Sequence, residues 1–329
     1  MKQENNSKRK SGNGIQTPCI INDFHTQRGV FPPDEYYVHT DDKTNKRIMI
    51  PIYEIDSFHL LTQFVGYAKY KNRESGDVYL RGQTSLFEKY KIITSEQEIL
   101  YETGMKPSCF RTTCSNIKAR IEKLKTVIKD LLCDCKDLSQ SEDDRLFPLL
   151  QHYGIKTYWL DVVDNVWVAL WFASHDFRTT IVDEREQIHI VKTNKSFSYL
   201  FLLVSDAIDN NAKKSGEDYH GIYTGHKTIL NDLRRSTPSV YLRPHAQHAL
   251  MLRKKTLDLC KDYSDLIVGI AKIPASVTLE WIGYSGLLSA QSLFPSPYYD
   301  SGYNNLLDRV KKDSNIINPY GSIQYITSD

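Results

Sequence analysis

Apolar residues recur at helical spacing in several segments of the chain. Leu60, Leu61, Phe64 and Val65 predict a helix over about 55–67, after a short extended piece that starts at Ile50. The same spacing after Ser115, a suitable N-cap, predicts a long helix with a charged opposite face. Further helices are predicted at Phe147–Tyr153 (stopped by Gly154), at Val166–His175 (capped by Asp164 or Asn165), at Thr278–Leu288 (helix or turn) and after Asp300.

Shorter runs of β-forming residues predict strands between these helices. In Asp77–Gly82, Val78 and Leu80 face one side of the strand, whereas Tyr79 and Arg81 face the other. The segment Thr224–Arg235 suits a helix, Asp134–Arg145 a charged loop and Thr180–Gln187 a charged hairpin or loop. The other predicted strands are Thr157–Val162, Ile188–Lys192, Tyr199–Ser205, Val240–Leu242, Ala249–Arg253 and Leu266–Ile273.

Helices and strands do not alternate regularly, which favours an α+β fold with one main domain over a doubly wound sheet. With 329 residues, the chain can bury a large core. Its 42 Lys and Arg against 40 Asp and Glu leave a net charge of +2, so any anion binding must be local. There is no membrane-spanning run and no secretory signal, which predicts a cytoplasmic protein with six reduced cysteines. Residues 1–14 are predicted to be a disordered basic tail.

Arg81 is the first candidate for chemistry. An arginine at a strand end, followed by Gly82, can present its guanidinium beside bare backbone and capture a phosphate or carboxylate bidentately. Gln83 and Thr84 add hydrogen-bonding groups. The alternative is a solvent-facing or salt-bridged arginine.

A second group of candidates lies between Gln151 and Asp161. Histidine is a side chain that can titrate near neutral pH, which makes His152 a candidate, and Tyr153 can stack on a base or a nicotinamide ring. Asp161 lies where a strand gives way to a helix, a position that stabilises a carboxylate. The alternatives are a helix end where His152 and Tyr153 only pack, and a capping or structural role for Asp161.

Two other polar clusters give weaker indications of a functional site. In the segment Arg243–His248, His245 and His248 form a conceivable metal pair, but no third ligand has suitable spacing, so no metal is predicted. The run Glu184–Glu186 holds paired glutamates, as in some NAD-consuming transferases, but a solvated loop is the preferred interpretation.

Seven short motifs follow one another along the chain: Tyr79–Gln83, Lys106–Arg111, Leu149–Gly154, Trp159–Asp161, Ala169–Ala173, Arg243-x-x-Ala246-Gln247 and Ser292–Pro295. Taken together and in this order, these motifs resemble the FRG-domain family, over about Val78 to Val310. Two departures are Lys156–Tyr158, where the family usually has Pro-Thr-Arg, and Ala249 with Met251, where it commonly has Gly and Phe.

The resemblance implies a remote relation to ADP-ribosyltransferases, with a central, mostly antiparallel split sheet flanked by helices and NAD as substrate. By this analogy, Arg81 binds the pyrophosphate or ribose, Tyr153 stacks and Gln247 takes the late position, where a Glu is usual. Asp161, ranked above Glu280, would supply the missing carboxylate. The implied catalytic set is Arg81, His152, Tyr153, Asp161 and Gln247, and the implied NAD-binding set is Arg81, Gly82, Gln83, Tyr153 and Arg243.

The preferred hypothesis is an NAD-dependent ADP-ribosyltransferase or NAD glycohydrolase, in the setting of a toxin or phage-defence effector. Its partners would be NAD, an unknown protein or nucleic-acid acceptor and an antitoxin or immunity protein, with no membrane. The alternatives are a non-catalytic nucleotide or nucleic-acid binding module and a structural interaction protein. The predicted divisions are the tail, an N-terminal extension at 15–77 packed on the main domain, an FRG-like domain at 78–312 and a C-terminal tail at 313–329.

Overall fold

A computed structural model describes residues 17–26, 29–40, 47–86, 105–111, 117–131, 143–182, 185–207, 221–256, 262–283, 288–312, 321 and 323–327. The strands in these ranges are β1 (His25–Thr26), β2 (Gly29–Val30), β3 (Glu35–Thr40), β4 (Arg47–Glu54), β5 (Asp77–Gln83), β6 (Leu160–Val163), β7 (His175–Val182), β8 (Arg185–Lys192), β9 (Phe197–Ser205), β10 (Ile222–Thr224), β11 (Thr228–Asp232), β12 (Ala249–Lys254), β13 (Ile267–Pro274) and β14 (Tyr325–Thr327). The helices are α1 (Phe58–Asn72), α2 (Ile117–Leu131), α3 (Asp143–His152), α4 (Val166–Ser174), α5 (Leu233–Ser236), α6 (Leu242–Ala246), α7 (Ala275–Ile282), α8 (Ala290–Leu293) and α9 (Ser301–Lys312).

A large mixed sheet flanked by helices organises these elements. Its nine strands lie in the order β10-β11-β12-β6-β5-β9-β13-β4-β3. Every neighbouring pair is antiparallel except β13 and β4, which run parallel. A smaller sheet holds β14, β8 and β7, and β1 pairs with β2. The prediction of a mixed fold with a mostly antiparallel sheet is therefore confirmed at this level.

The central strand β9 is buried on both faces. Phe201 and Leu203 pack into the core on one side, whereas Leu200, Leu202 and Val204 pack on the other side against α1, α4 and α7. This alternation follows from the two-residue period of a strand, and it explains why the segment is apolar at nearly every position. The helices α2, α3 and α9 enclose a third buried cluster beside the sheet.

The sheet is weakly joined between β5 and β6. On the side away from β6, strand β5 pairs with β9 over its full length, from Asp77 with Ser205 to Gln83 with Tyr199. Towards β6 it has a single register pair, Leu80 with Val163. The two strands therefore part beyond Leu80, and we call this opening the β5–β6 seam.

The predicted N-terminal extension contributes to the main sheet. Strand β4 joins the sheet through β13, pairing Ile52 with Ile270, and β3 forms the edge beyond it. At the other end of the chain, β14 lies in the predicted C-terminal tail and pairs with β8. The predicted tail at 1–14 lies outside the described residues.

Two predicted elements are wrong. Thr224–Arg235 forms strands β10 and β11 and the short α5 rather than one helix. The turn between these strands is fixed by Asp206, whose carboxylate accepts hydrogen bonds from the backbone N–H groups of His226, Lys227 and Thr228. Because Asp206 lies about twenty residues away in sequence, local periodicity could not reveal it.

Val240–Leu242 leads into helix α6 instead of forming a strand. The carboxylate of Asp300 accepts hydrogen bonds from the N–H groups of Leu242 and Arg243 at 3.0 and 3.1 Å, which satisfies the first turn of α6. Helix α3 also starts earlier than predicted, at Asp143, inside the segment predicted to be a loop. The predicted cap Ser115 lies outside the described residues.

The other predicted elements are present with shifted bounds. Asn165 caps α4 by accepting from the N–H groups of Trp167 and Val168, and Gly154 follows α3 with a φ of 119°. The hairpin expected near Thr180–Gln187 is longer, since β7 and β8 pair from His175 with Lys192 to Val182 with Arg185. Within the described ranges, no helix is long and apolar enough to cross a membrane.

Candidate functional site

Arg81 fills the β5–β6 seam. Its Nη1 donates a hydrogen bond to the backbone oxygen of Asp161 at 2.6 Å, in place of the strand pairing that is missing there. The same nitrogen lies 3.7 Å from the Asp161 carboxylate. Burial lowers the pKa of Arg81 to about 10 although Asp161 opposes this shift, so the guanidinium stays charged at neutral pH. Within the described part of the chain, Nη2 has no hydrogen-bond partner.

Asp161 presents an ionised carboxylate at the seam. Burial acts to raise its pKa, but hydrogen bonding with His152 and the charge of Arg81 outweigh burial and lower the pKa to about 2. Gln151 donates to the carboxylate at 3.0 Å and to the Trp159 carbonyl at 3.0 Å, which fixes the orientation of the acid. The Asp161 side chain is still 45% exposed, so one side of the carboxylate faces the cleft.

His152 and Arg111 complete this polar end. His152 Nδ1 lies 3.7 Å from the Asp161 carboxylate, and the His152 side chain is 7% exposed. Arg111 is exposed and also lines the cleft, with Nε bound to the Lys106 carbonyl at 2.9 Å. Two guanidinium groups therefore lie near one carboxylate, an arrangement that attracts a multiply charged anion.

Gly82 lets helix α4 pack directly on β5. A Cβ at this position would collide with the Ala169 carbonyl oxygen and lie 2.7 Å from the Ala173 nitrogen. Only glycine permits this contact, which places the start of β7 and the aromatic residues of α4 beside the seam. Gly82 and Gln83 both line the cleft.

Aromatic rings form another part of the cleft lining, which we call the aromatic wall. The ring of Phe172 stacks on Phe177 with centroids 6.0 Å apart and an interplanar angle of 17°, and Phe294 packs edge-on to Phe177 at 5.7 Å. Phe177 is 42% exposed. Such a wall offers flat apolar surface to a planar ring.

A smaller polar group borders this wall. Thr84 donates to Asp176 at 2.7 Å, and Lys195 donates to Thr84 at 3.1 Å. Burial acts to raise the pKa of Asp176, but hydrogen bonds from Thr84 and Thr193 outweigh it and lower the pKa. The carboxylate is therefore ionised at neutral pH and offers acceptors to hydroxyl groups.

These surfaces enclose one cleft of about 530 Å³. Its charged lining residues are Arg81, Arg111, Lys195, Asp161 and Asp176, which leave one excess positive charge without the histidines. This volume falls in the range of small-ligand sites, and the lining combines a few polar groups in fixed positions with apolar rings. The cleft can hold a ligand that carries both phosphate and a planar ring.

Tyr153 lies in the core instead of at the cleft. It is fully buried, its hydroxyl donates to Asp300 at 2.6 Å, and its ring packs edge-on to Tyr241. Burial raises its pKa above the ordinary value. The stacking face predicted for Tyr153 is therefore not presented to a ligand in this cleft.

Arg243, predicted to bind NAD, is also buried behind the cleft and does not line it. Its Nη1 donates to the His152 carbonyl at 2.9 Å, and its guanidinium lies 4.4 Å from the Tyr153 ring centroid and 4.6 Å from that of Tyr303. The geometry gives Arg243 a supporting position beneath the C-terminus of α3.

Gln247 does reach the cleft. It is almost fully buried, and its amide donates to the Leu293 carbonyl at 2.8 Å. Glu280 lies exposed on α7 and does not line the cleft. His248 lies 3.6 Å from Asp164 and has a φ of 50°. In the described ranges, no group of three or more His, Cys, Asp or Glu is arranged to hold a metal.

Several cleft residues were missing from the predicted sets. Thr84 was noted in the sequence beside Arg81. Four others lie in segments that carry the family resemblance: Arg111, Gln151, Phe172 and Phe294. The hairpin and loop residues carried none, because their convergence depends on the packing of α4, β7 and α8. The polar and aromatic cleft residues outside the predicted catalytic and NAD-binding sets are Thr84, Arg111, Gln151, Phe172, His175, Asp176, Phe177, Lys195 and Phe294.

A comparison with protein families assigns part of the chain. A search of curated proteins finds no match, and a search of solved structures finds none either. The family model described as the FRG domain matches residues 77–180, which include Arg81, Asp161 and α4. The predicted resemblance is confirmed over this range, whereas the motifs at Arg243–Gln247 and Ser292–Pro295 lie beyond it. The similarity to the FRG domain therefore covers residues 77–180, about a third of the chain.

Proposed function

We propose that the cleft binds NAD and cleaves its bond to nicotinamide, as an ADP-ribosyltransferase or NAD glycohydrolase. The observation that carries the proposal is the composition of one cleft, whose lining combines two arginines and an ionised carboxylate with stacked aromatic rings. NAD has the matching chemistry, since it combines a pyrophosphate, two riboses and two planar rings.

The arginines suit the pyrophosphate. Arg81 is held in place by the Asp161 carbonyl, and its Nη2 has no partner among the described residues. Arg111 is held through Nε, and no described residue bonds its terminal nitrogens. Planar guanidinium groups bind phosphate oxygens in pairs, and each such charge-assisted contact contributes about 1.5–3 kcal/mol.

Asp161 suits the charge that develops on the ribose. Loss of nicotinamide leaves an oxocarbenium-like centre, and a fixed carboxylate lowers the energy of that state without reorganisation. With a pKa of about 2, Asp161 is ionised throughout the physiological range. Gln247 has no charge, so we assign the electrostatic role to Asp161 and a hydrogen-bonding role to Gln247.

The aromatic wall suits one of the planar rings. Phe172, Phe177 and Phe294 take the stacking role that the sequence assigned to Tyr153. Stacking of a base on an aromatic side chain contributes about 1–3 kcal/mol. The opening of a mostly antiparallel sheet at the β5–β6 seam further supports an ADP-ribosyltransferase-like arrangement.

One observation favours the alternative of a non-catalytic nucleotide-binding module. Arg81 lies 3.7 Å from the Asp161 carboxylate and so offsets part of its charge. In that case the cleft would bind NAD or another nucleotide and break no bond. Binding would weaken with added salt, since phosphate contacts depend on charge.

Nicotinamide release from NAD tests the proposal, with purified wild-type protein in the presence and absence of cell lysate as acceptor. We expect release by the wild type. Arg81→Lys keeps the charge but loses the planar fork, so kcat/KM should fall about 10–100-fold. Arg73→Lys is the matched control, because Arg73 lies exposed next to the C-terminal end of α1 and does not line the cleft. Saturable binding of NAD without release would move the assignment to the binding module.

A further inference from the structure

His175 lines the cleft in a fixed position, and it is not among the residues assigned to NAD binding or cleavage above. It begins β7, directly after α4, and its ring stacks on Trp171 with centroids 4.2 Å apart and an interplanar angle of 14°. The ring lines the cleft beside Asp176 and Phe177. The position of His175 is therefore set by helix α4, which packs directly on β5 at Gly82.

The hydrogen bonds of His175 determine which ring nitrogen carries the proton. Nδ1 lies 2.8 Å from the Trp171 carbonyl oxygen, which can only accept, so Nδ1 must donate. Ser174 donates its hydroxyl to the same carbonyl at 3.0 Å and can accept from Nδ1 at 3.1 Å. In the neutral ring, Nε2 therefore holds the lone pair.

Nε2 is available to a ligand. No residue in the described part of the chain bonds to it, and it is not among the buried polar atoms that lack a partner. It therefore keeps accessible surface on a ring that lines the cleft. An unprotonated nitrogen in this position can accept a proton from a bound molecule.

The groups around His175 keep the ring neutral. Burial is the largest influence and lowers its pKa, and the hydrogen bond to Trp171 acts in the opposite direction. Lys192, its register partner on β8, also lowers the pKa, whereas Asp176 on its own strand raises it. The net direction is down from the ordinary value of 6.5, so the ring is neutral at pH 7.

We infer that His175 is the general base that deprotonates the acceptor, which is water in the hydrolytic reaction. This inference rests on the proposed function. The bond between ribose C1′ and the nicotinamide nitrogen breaks, and its electron pair leaves with nicotinamide. The water oxygen bonds to C1′ and its proton passes to His175 Nε2. The products are ADP-ribose, nicotinamide and a proton released to solvent.

Two substitutions separate the base from the packing role. His175→Asn keeps an amide N–H where Nδ1 lies, so it can still donate to the Trp171 carbonyl, but it cannot accept a proton. His175→Gln removes the base and also this hydrogen bond. Removing a general base lowers rates by about 10²–10⁴-fold. We expect both variants to lose nicotinamide release to this extent, while the Kd for NAD, measured by calorimetry, stays within about threefold.

The pH profile and chemical rescue give readouts that a structural role would not change. In the wild type, release should rise with pH through a midpoint below 6.5 and then level off, because the deprotonated ring is the active form. In His175→Asn this rising limb should disappear, and added imidazole should restore part of the rate. If the wild type releases nicotinamide and His175→Asn releases it at the same rate with the same pH profile, the role of His175 as the base is refuted while the proposed function stands. No release by the wild type would instead remove the proposed function.

Discussion

The contact between Gly82 and helix α4 makes the sharpest prediction about how the site is built. In Gly82→Ala, the new methyl group would collide with the Ala169 carbonyl oxygen and lie 2.7 Å from the Ala173 nitrogen. Both are backbone atoms of one helix, so neither can rotate away and the whole of α4 must move from β5. Overpacking of a core typically costs 1–3 kcal/mol, and we expect about 3 kcal/mol here because no flexible side chain absorbs the clash.

Chemical and thermal denaturation measure this effect. A loss of about 3 kcal/mol should lower the Tm by about 4 °C in a chain of 329 residues, because the entropy of unfolding grows with chain length. Gly66→Ala is the matched control, because Gly66 lies exposed within α1 and a Cβ there meets no atom within 4 Å. The control should gain about 0.5–1 kcal/mol, since alanine favours a helix more than glycine. Equal stability of Gly82→Ala and the wild type would refute the direct packing of α4 on β5.

Three further predictions concern individual side chains. Tyr153→Phe should cost about 1–3 kcal/mol in unfolding free energy, because Asp300 loses a buried donor. Nicotinamide release should persist in this variant, and loss of release would show that Tyr153 takes part in the reaction. The lowered pKa of Asp161 adds stability that is present above pH 3.8 and lost as the pH falls towards 2, so acid titration should destabilise Asp161→Asn less than the wild type; equal slopes would contradict the shift. Asn165→Ala should cost about 1 kcal/mol, checked by urea denaturation, because the first N–H groups of α4 lose their cap; unchanged stability would argue against this capping role.

The sequence predicts the fold best where the pattern is local. The helix at 117–131 and the strand at 77–83 follow from periodicity, and the caps of α4 and α3 follow from Asn165 and Gly154. The pattern is misleading where a distant carboxylate decides the backbone. Asp206 fixes the turn between β10 and β11, and Asp300 starts α6, and neither contact has a local signature.

The candidate site was predictable in its centre but not in its walls. Arg81 and Asp161 were predicted separately from their positions at strand ends, and the structure brings them together across the seam. The stacking role predicted for Tyr153 was wrong, because the sequence pattern around an aromatic residue at a helix end is the same whether its ring faces a cleft or the core. The aromatic wall and His175 depend on the packing of α4 and β7, which no spacing along the chain encodes.

The most direct test of the central claim is nicotinamide release by Asp161→Asn, measured together with its NAD affinity. Asparagine keeps the shape of the side chain and can still bond to Gln151, so the Kd for NAD should stay within about threefold of the wild-type value. Loss of the charge should lower release by about 10²–10³-fold, the effect typical of removing one electrostatic contact to a transition state. Release at the wild-type rate from Asp161→Asn would contradict the assignment of the chemistry to this carboxylate.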